Sequence, residues 1–533
     1  MQEGFMMINQ MIGALAGLVR IFLTVTRPLS DKVLDVLYAI FMGSTPQLPS
    51  INNKILLMSA TELAEKIRKR QLTCEEVIKA YIMRIKEVQP IINAIVDERF
   101  VEAIHDAIAV DRLLASGKKS EKDIAQDTPL LGVPFTSKDL IGIKGLTQAA
   151  GLVCFKDRKA ERDSDTAALL RKAGAIPVAI TNVPELCMWW ESANNAFGRT
   201  KNPFDIRRTV GGSSGGEGAL ITAAGGVMGI GSDLAGSIRI PASFCGIYGH
   251  KPSSGVISNR KYWPDSEGAL DEILSTGPMC RYVKDLLPLV KVLSDNDRRL
   301  RLEEKVNFRN VKVYYMEEVP GFLNSAIRPI KAAVRKAVEH FENEYGITAT
   351  KVNIKELSYG FNIWESKLLE TGSPPVASML SGEVGKDSSI NLTMELIKSF
   401  FRCSDHTWPA IYNGMIDMRE KNKFHYKCLE KFNVLKAKFE ELLQGDAIFL
   451  LPTHPEPPPH YLMTIPKYPN IVYTCTFNIL GYPSTQIPAG LYQGLPIGFQ
   501  AISRRFQDHL TIAAAVELDK VFSGWICPCP VNV

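Results

Sequence analysis

The stretch "VGGSSGGEGAL", residues 210–220, sets four glycines and two adjacent serines into positions 211–216, just ahead of an apparent helix. A second loop of small residues follows closely, "GSDLAGSIRIPA" at 231–242. Phosphate cradle, flexible linker and catalytic centre compete as readings. A P-loop needs a Lys after its last glycine, and Glu217 stands where that cation is wanted. A linker would not run straight into a well-patterned apolar segment. "GSSGG" at 212–216 fits G-x-S-x-G with Ser214 as an elbow serine, but that elbow follows a buried strand, and here "DIRRTV" precedes it. His250, His340 and His454 carry no motif that marks a triad partner. A nucleophile centre is the best reading, with Ser213, Ser214 and Ser237 as candidates.

Outward from the two loops, short apolar runs alternate with helical segments. "AIPVAIT" (175–181), "GVMGIGSD" (226–233), "AIFLLPT" (447–453) and "PSTQIPA" (483–489) read as strands, and "SDTAALLRKAG" and "GEGALITAAG" as helices between them. That alternation predicts an α/β fold with buried strands. Capping boxes at Ser59/Glu62 and Thr73/Glu76 open two amphipathic helices, and a third covers about 100–116. Residues 300–440 look like an elaboration, with long helical stretches at 325–345 and 411–443. No repeat or Pro/Gly-rich linker divides the body.

Composition narrows the class. The chain has 533 residues, 46% hydrophobic and 22% charged, with a net charge of +5. That is globular composition, and no basic block is long enough to bind nucleic acid. "KIRKR" at 66–70 reads as a solvated helix face. Ten cysteines and eight histidines show no zinc spacing. The nearest approach to a paired motif is Cys527-Pro528-Cys529. Residues 5–25, "FMMINQMIGALAGLVRIFLTV", have the length of one bilayer crossing. Residues 33–43 form a shorter apolar stretch suited to the interface. A buried or interfacial helix is the rival reading of 5–25. Arg20, Arg27 and Lys32 on its C-terminal side would leave the body cytoplasmic. The expected division is an N-terminal membrane anchor and linker over 1–45 and a catalytic domain over 46–533.

Separated motifs then agree on one family. "GVPFTSKDLIGIKGL" (132–146), "AGAIPVAITNVPEL" (173–186), "NNAFGRTKNPFD" (194–205), the two serine loops and "FNILGYPSTQIPAGLYQGLPIGFQ" (477–500) resemble the amidase signature family over roughly residues 55–525. "ELCMWWES", "GHKPSSGV", "STGPMCRY" and the apolar N-terminus are similar to its animal fatty-acid amide hydrolases. The resemblance implies a large mixed central β-sheet covered by α-helices on both faces. It implies a Ser–cis-Ser–Lys triad with Ser237 as nucleophile, Ser213 as bridging serine and Lys138 as base. It implies no cofactor and no metal. The expected partners are a fatty-acid amide substrate and a membrane; a homodimer stays open.

Elementary chemistry supports those roles. A serine hydroxyl needs a base within hydrogen-bond reach, and lysine serves only where burial lowers its pKa. Lys138 follows the apolar "LLGVPFT" (130–136). The backbone N–H groups of Leu234, Ala235, Gly236 and Ser237 are placed to meet an oxyanion. Ser214, Asp233 and Arg239 are expected to hold the loops by hydrogen bonds and an ion pair. One departure stands out: the family has two glycines before the nucleophile, and Ala235 replaces the first. At positive φ an alanine costs roughly 1–2 kcal/mol; at negative φ the cost is near zero. Activity is expected, acting on fatty-acid primary amides or N-acylethanolamines. The alternatives are an amidase for small polar amides, a glutaminase subunit of a tRNA amidotransferase, and a non-catalytic lipid binder, which Ala235 alone encourages.

Overall fold

β-Branched and small apolar residues fill the short runs read as strands, and in the computed structural model these runs pair edge to edge. The structure describes residues 46–266, 268–382, 389–461 and 463–533, together with positions 33, 36, 37 and 40. In chain order the strands are β1 Ile95–Glu98, β2 Pro134–Lys138, β3 Ile176–Thr181, β4 Ala193–Asn194, β5 Gly198–Arg199, β6 Met228–Asp233, β7 Tyr248–Lys251, β8 Ser275–Cys280, β9 Lys312–Tyr315, β10 Thr350–Lys351, β11 Ala447–Pro452, β12 Ser484–Tyr492 and β13 Leu495–Ile502. β4 and β5 form a small hairpin. The other eleven make one sheet in the order β1-β3-β2-β6-β8-β7-β12-β13-β11-β9-β10. β2 lies parallel to both β3 and β6, whereas β6–β8 and β12–β13 are antiparallel. The sheet is mixed, as the α/β expectation required.

Side-chain alternation along β11 shows why both faces carry helices. Ile448 and Leu450 join a core with Val77, Tyr81, Val334 and Leu518, from helices Cys74–Ile92, Arg328–Tyr345 and Asp508–Phe522. Phe449 and Leu451 join a second core with Phe439 and Phe477, from helices Lys423–Leu442 and Val472–Ile479. β2 is buried along its whole length between its two parallel neighbours. Ile51 bridges Val531, so the two ends of the body meet.

Both capping boxes form, at Ser59 and Thr73. The stretch 411–443 is two helices, Trp408–Asp417 and Lys423–Leu442. The polar residues between them interrupt the apolar periodicity. Asn422 then restarts the helix, its side-chain oxygen accepting the His425 N–H at 3.1 Å. The elaboration at 300–440 adds β9 and β10 to one sheet edge and supplies helix Gly360–Leu369, which lines the cavity described below. Among the described residues no helix is long and apolar enough to cross a membrane. The anchor expected over 5–25 lies outside the described residues.

Phe449 is fully buried, with the rings of Phe439 and Phe477 at 5.5 and 6.3 Å. Phe449→Ala is expected to cost about 3–5 kcal/mol, read as a lower urea midpoint in equilibrium unfolding.

Candidate active site

β2 ends in Lys138, and its neighbours leave that side chain no route to water. Lys138 is fully buried, and its Nζ donates to Ser213 Oγ at 2.5 Å and to Ser232 Oγ at 2.9 Å. Burial pushes its pKa below the ordinary 10.5, against smaller opposing effects of Cys187, Asp233 and Glu217. Ser232, at the end of β6, was not singled out by the sequence. It precedes Asp233 in the second serine loop, but its hydroxyl meets Lys138 only because β2 and β6 are adjacent.

Glu217 lies in the first turn of helix Gly215–Thr222 and points under the same site, away from solvent. Its carboxyl accepts hydroxyls from Thr136 at 2.6 Å and Thr181 at 2.9 Å. Burial raises its pKa to about 8, against the lowering effects of the two threonines and Lys138, and so favours the neutral acid. A Cβ on Gly229 would lie 1.8 Å from its Oε2, so only glycine leaves room for this acid.

The Gly212–Ser213 peptide is cis. The glycines around it are required by close packing: a Cβ on Gly215 would lie 2.3 Å from Ser192 Oγ, and one on Gly216 2.5 Å from Asn182 N. Ser214 ties the two loops together, donating its N–H to Ser237 O at 3.1 Å and its Oγ to Ser232 O at 3.4 Å.

The loop 234–237 is oriented through its carbonyls. Asn478 Nδ2 donates to Asp233 O at 2.7 Å, Trp364 Nε1 to Leu234 O at 3.1 Å, and Ile240 N–H to Gly236 O at 2.7 Å. In a trans peptide the N–H points opposite the carbonyl, so these three bonds fix the N–H groups of Leu234, Ala235 and Ser237. Among the described residues, those three N–H groups find no acceptor. Gly236 differs from the expectation: its N–H is engaged by Asp233 Oδ1 at 2.7 Å. Its φ is +125°, and a Cβ there would lie 2.3 Å from Thr474 Oγ1. Ala235 does not have a positive φ, so alanine is unstrained where the family has glycine.

Asp233 and Arg239 form a fully buried ion pair, Nη2–Oδ1 3.0 Å. Burial opposes ionisation of Asp233, but Arg239 and Asn478 outweigh it and hold the carboxyl well below its usual range. Arg239 also donates to Asn478 Oδ1 at 2.7 Å and Gln500 Oε1 at 3.0 Å. Motif residues far apart in the chain thus converge on one guanidinium. Asp139, next to Lys138, accepts the N–H groups of Ala149 and Gly151 at 2.7 and 3.0 Å. None of His250, His340 and His454 is bonded to these serines. His250 contacts Thr485 and Asp508, and His340 contacts Glu517.

Ser237, Gly212, Leu234 and Ala235 open onto a solvent-open cavity with about 70 Å³ of room for water-sized groups. Trp190, Ile240, Trp364, Leu368 and Ile471 give it apolar walls. A polar pair joins the lining, Glu365 Oε1 accepting from Arg419 Nη2 at 3.0 Å. The apolar walls with a few polar groups are those of a small-molecule site. Among the described residues no group of three or more His, Cys, Asp or Glu could hold a metal ion.

Comparison with known proteins agrees with this architecture. The amidase family matches residues 76–512. Human fatty-acid amide hydrolase 2 is 41% identical over 500 residues, covering 92% of this chain and 93% of the relative. Zebrafish fatty-acid amide hydrolase 2-A is 39% identical over 510 residues, covering 92% and 95%. A solved fatty acid amide hydrolase superposes with a TM-score of 0.70 at 23% identity, over 91% of this chain and 88% of that one, and shares the fold.

Asp233→Asn removes the counter-charge of a buried guanidinium and is expected to cost about 3–5 kcal/mol, measured by chemical denaturation at neutral pH. Asp233 has a depressed folded pKa, so its contribution is present above the unfolded carboxylate value and lost as pH falls through the folded one. The gap between wild type and variant should therefore narrow in acid.

Proposed function

The chain belongs to the amidase family, and we propose that it is a serine amidase of fatty-acid amides in which Ser237 is the nucleophile, Ser213 the proton relay and Lys138 the base. The observation that carries this reading is the contact between the buried Lys138 amine and Ser213 Oγ, beside a partly exposed Ser237 in the cavity wall. Neutral Lys138 accepts the Ser213 proton while Ser213 takes that of Ser237. Ser237 Oγ attacks the amide carbonyl, and the N–H groups of Leu234, Ala235 and Ser237 face the oxyanion that forms. The proton returns through Ser213 to the leaving nitrogen, the C–N bond breaks, and an acyl-enzyme remains. Water then attacks the acyl carbon by the same route in reverse and releases the acid. Ser214, Asp233 and Arg239 act by positioning the loops.

The substrate class rests on the identity to fatty-acid amide hydrolases of type 2 and on the apolar cavity walls. The non-catalytic reading loses its ground, because Ala235 adopts a φ that alanine tolerates. Membrane association is part of the proposal. Val33, Val36, Leu37 and Ile40 fall at helical spacing and are exposed. Helix Leu392–Phe400 exposes Met394, Ile397 and Phe400 while packing beside the cavity-lining helix Trp408–Asp417.

Hydrolysis of oleamide by detergent-solubilised protein tests the reading. Ser237→Ala should abolish turnover, and Ser213→Ala and Lys138→Ala should lower kcat about 10²–10⁴-fold. Fluorophosphonate labelling of Ser237 without oleamide turnover would keep the amidase and overturn the lipid substrate; neither labelling nor turnover would overturn both. Alkaline carbonate should leave the full chain in the membrane pellet if 5–25 spans the bilayer, and release it if that segment lies on the surface.

A further inference from the structure

The C-terminal run "WICPCPVNV", residues 525–533, has no part in the site above. It folds back onto the start of the body: Ile51 N–H donates to Pro530 O at 2.9 Å and Asn532 N–H to Ile51 O at 2.8 Å. The turn this requires brings the sulfurs of Cys527 and Cys529 within 3.5 Å, both partly accessible and both reduced.

One buried guanidinium touches the pair and a second lies over the neighbouring Trp525 ring. Arg84 donates through Nη2 to Cys529 Sγ at 3.2 Å, through Nε to Ala223 O at 2.9 Å and through Nη1 to Glu87 Oε2 at 3.0 Å. Arg281 lies over the rings of Trp525 and Tyr282 and donates through Nη2 to Tyr81 OH at 3.1 Å. Its Nε and Nη1 are buried and find no acceptor among the described residues. The nearby Asp285 carboxylate is occupied by Ala60 N–H, Thr61 N–H and Thr61 Oγ1. Among the described residues only the half-exposed Glu87 forms an ion pair with Arg84. Buried cations next to an accessible thiol favour its thiolate. The Cys529 thiol donating to Cys527 is the largest effect and, with the two arginines, lowers the Cys527 pKa against the cost of burial.

We propose that Cys527 and Cys529 form a redox-active dithiol that reduces hydroperoxides, with Cys527 attacking and Cys529 resolving. The Cys527 thiolate attacks the terminal peroxide oxygen, the O–O bond breaks, and the leaving alkoxide takes a proton. Cys527 becomes a sulfenic acid, oxidised by two electrons. Cys529 then attacks Cys527 Sγ, the S–S bond forms, and water leaves. Two thiols and one hydroperoxide yield a disulfide, an alcohol and water, and an external thiol restores the pair.

The test is hydrogen peroxide added below equimolar amount to the full chain at pH 6, followed by alkylation and peptide mapping. A Cys527–Cys529 disulfide should form roughly tenfold faster than the exposed Cys403 is oxidised, because the resolving sulfur already lies 3.5 Å away beside a buried guanidinium. In Cys529→Ser, dimedone should trap a sulfenic acid on Cys527; in Cys527→Ser, Cys529 should stay alkylatable. Oxidation of Cys403 ahead of the pair in wild type, which needs no variant to fold, would overturn the proposal. Disulfides joining Cys527 to other cysteines would overturn it as well.

Discussion

An ammonium ion taken out of water loses hydration worth several kcal/mol, and Lys138 has no carboxylate in hydrogen-bonding contact to replace it. Its partners are the hydroxyls of Ser213 and Ser232 and the Ser232 carbonyl. The neutral amine is the form such surroundings favour. Glu217, below the same strand end, is neutralised by the same burial and faces two threonine hydroxyls. Burial thus biases both Lys138 and Glu217 towards their uncharged forms. The buried position of β2, between two parallel strands, makes this possible.

Charge is retained one layer away. The Asp233–Arg239 pair is fully buried and is bonded in turn by Asn478, Gln500 and the backbone N–H groups of Gly236, Ile238 and Arg239. A buried pair of this kind specifies geometry more than it adds stability. Here it fixes the turn that carries Ser237, and carbonyl bonds from Asn478, Trp364 and Ile240 fix the peptide planes around it. The three N–H groups left without acceptors are consequences of that turn. Gly236 absorbs the positive φ, which leaves position 235 free to be alanine.

The strands at 176–181, 228–233 and 447–452 were legible because each is a short apolar run bounded by turn residues. β2 and β8 were not, since "PFTSK" and "STGPMC" carry proline and polar residues whose burial comes only from neighbouring strands. The candidate triad residues were named through motif resemblance; serine or lysine alone would have read as turn and surface. Ser232 and the engagement of the Gly236 N–H escaped, because both depend on which strands and carboxylates lie beside them. The helical stretch read over 411–443 holds a break between Asp417 and Lys423 that periodicity did not mark, and the Asn422 side-chain cap starts the second helix.

The central claim is that Lys138 works as a neutral, buried base. The most direct measurement is the pH dependence of acylation, followed as single-turnover release of the amine from an excess of enzyme over oleamide. A depressed lysine pKa means the base is inactive at low pH and gains activity as pH rises through its folded value. Wild type should therefore rise to a plateau with an inflection below 10.5, and Lys138→Ala should lose that inflection and the plateau with it. The same inflection and plateau in Lys138→Ala would contradict the account.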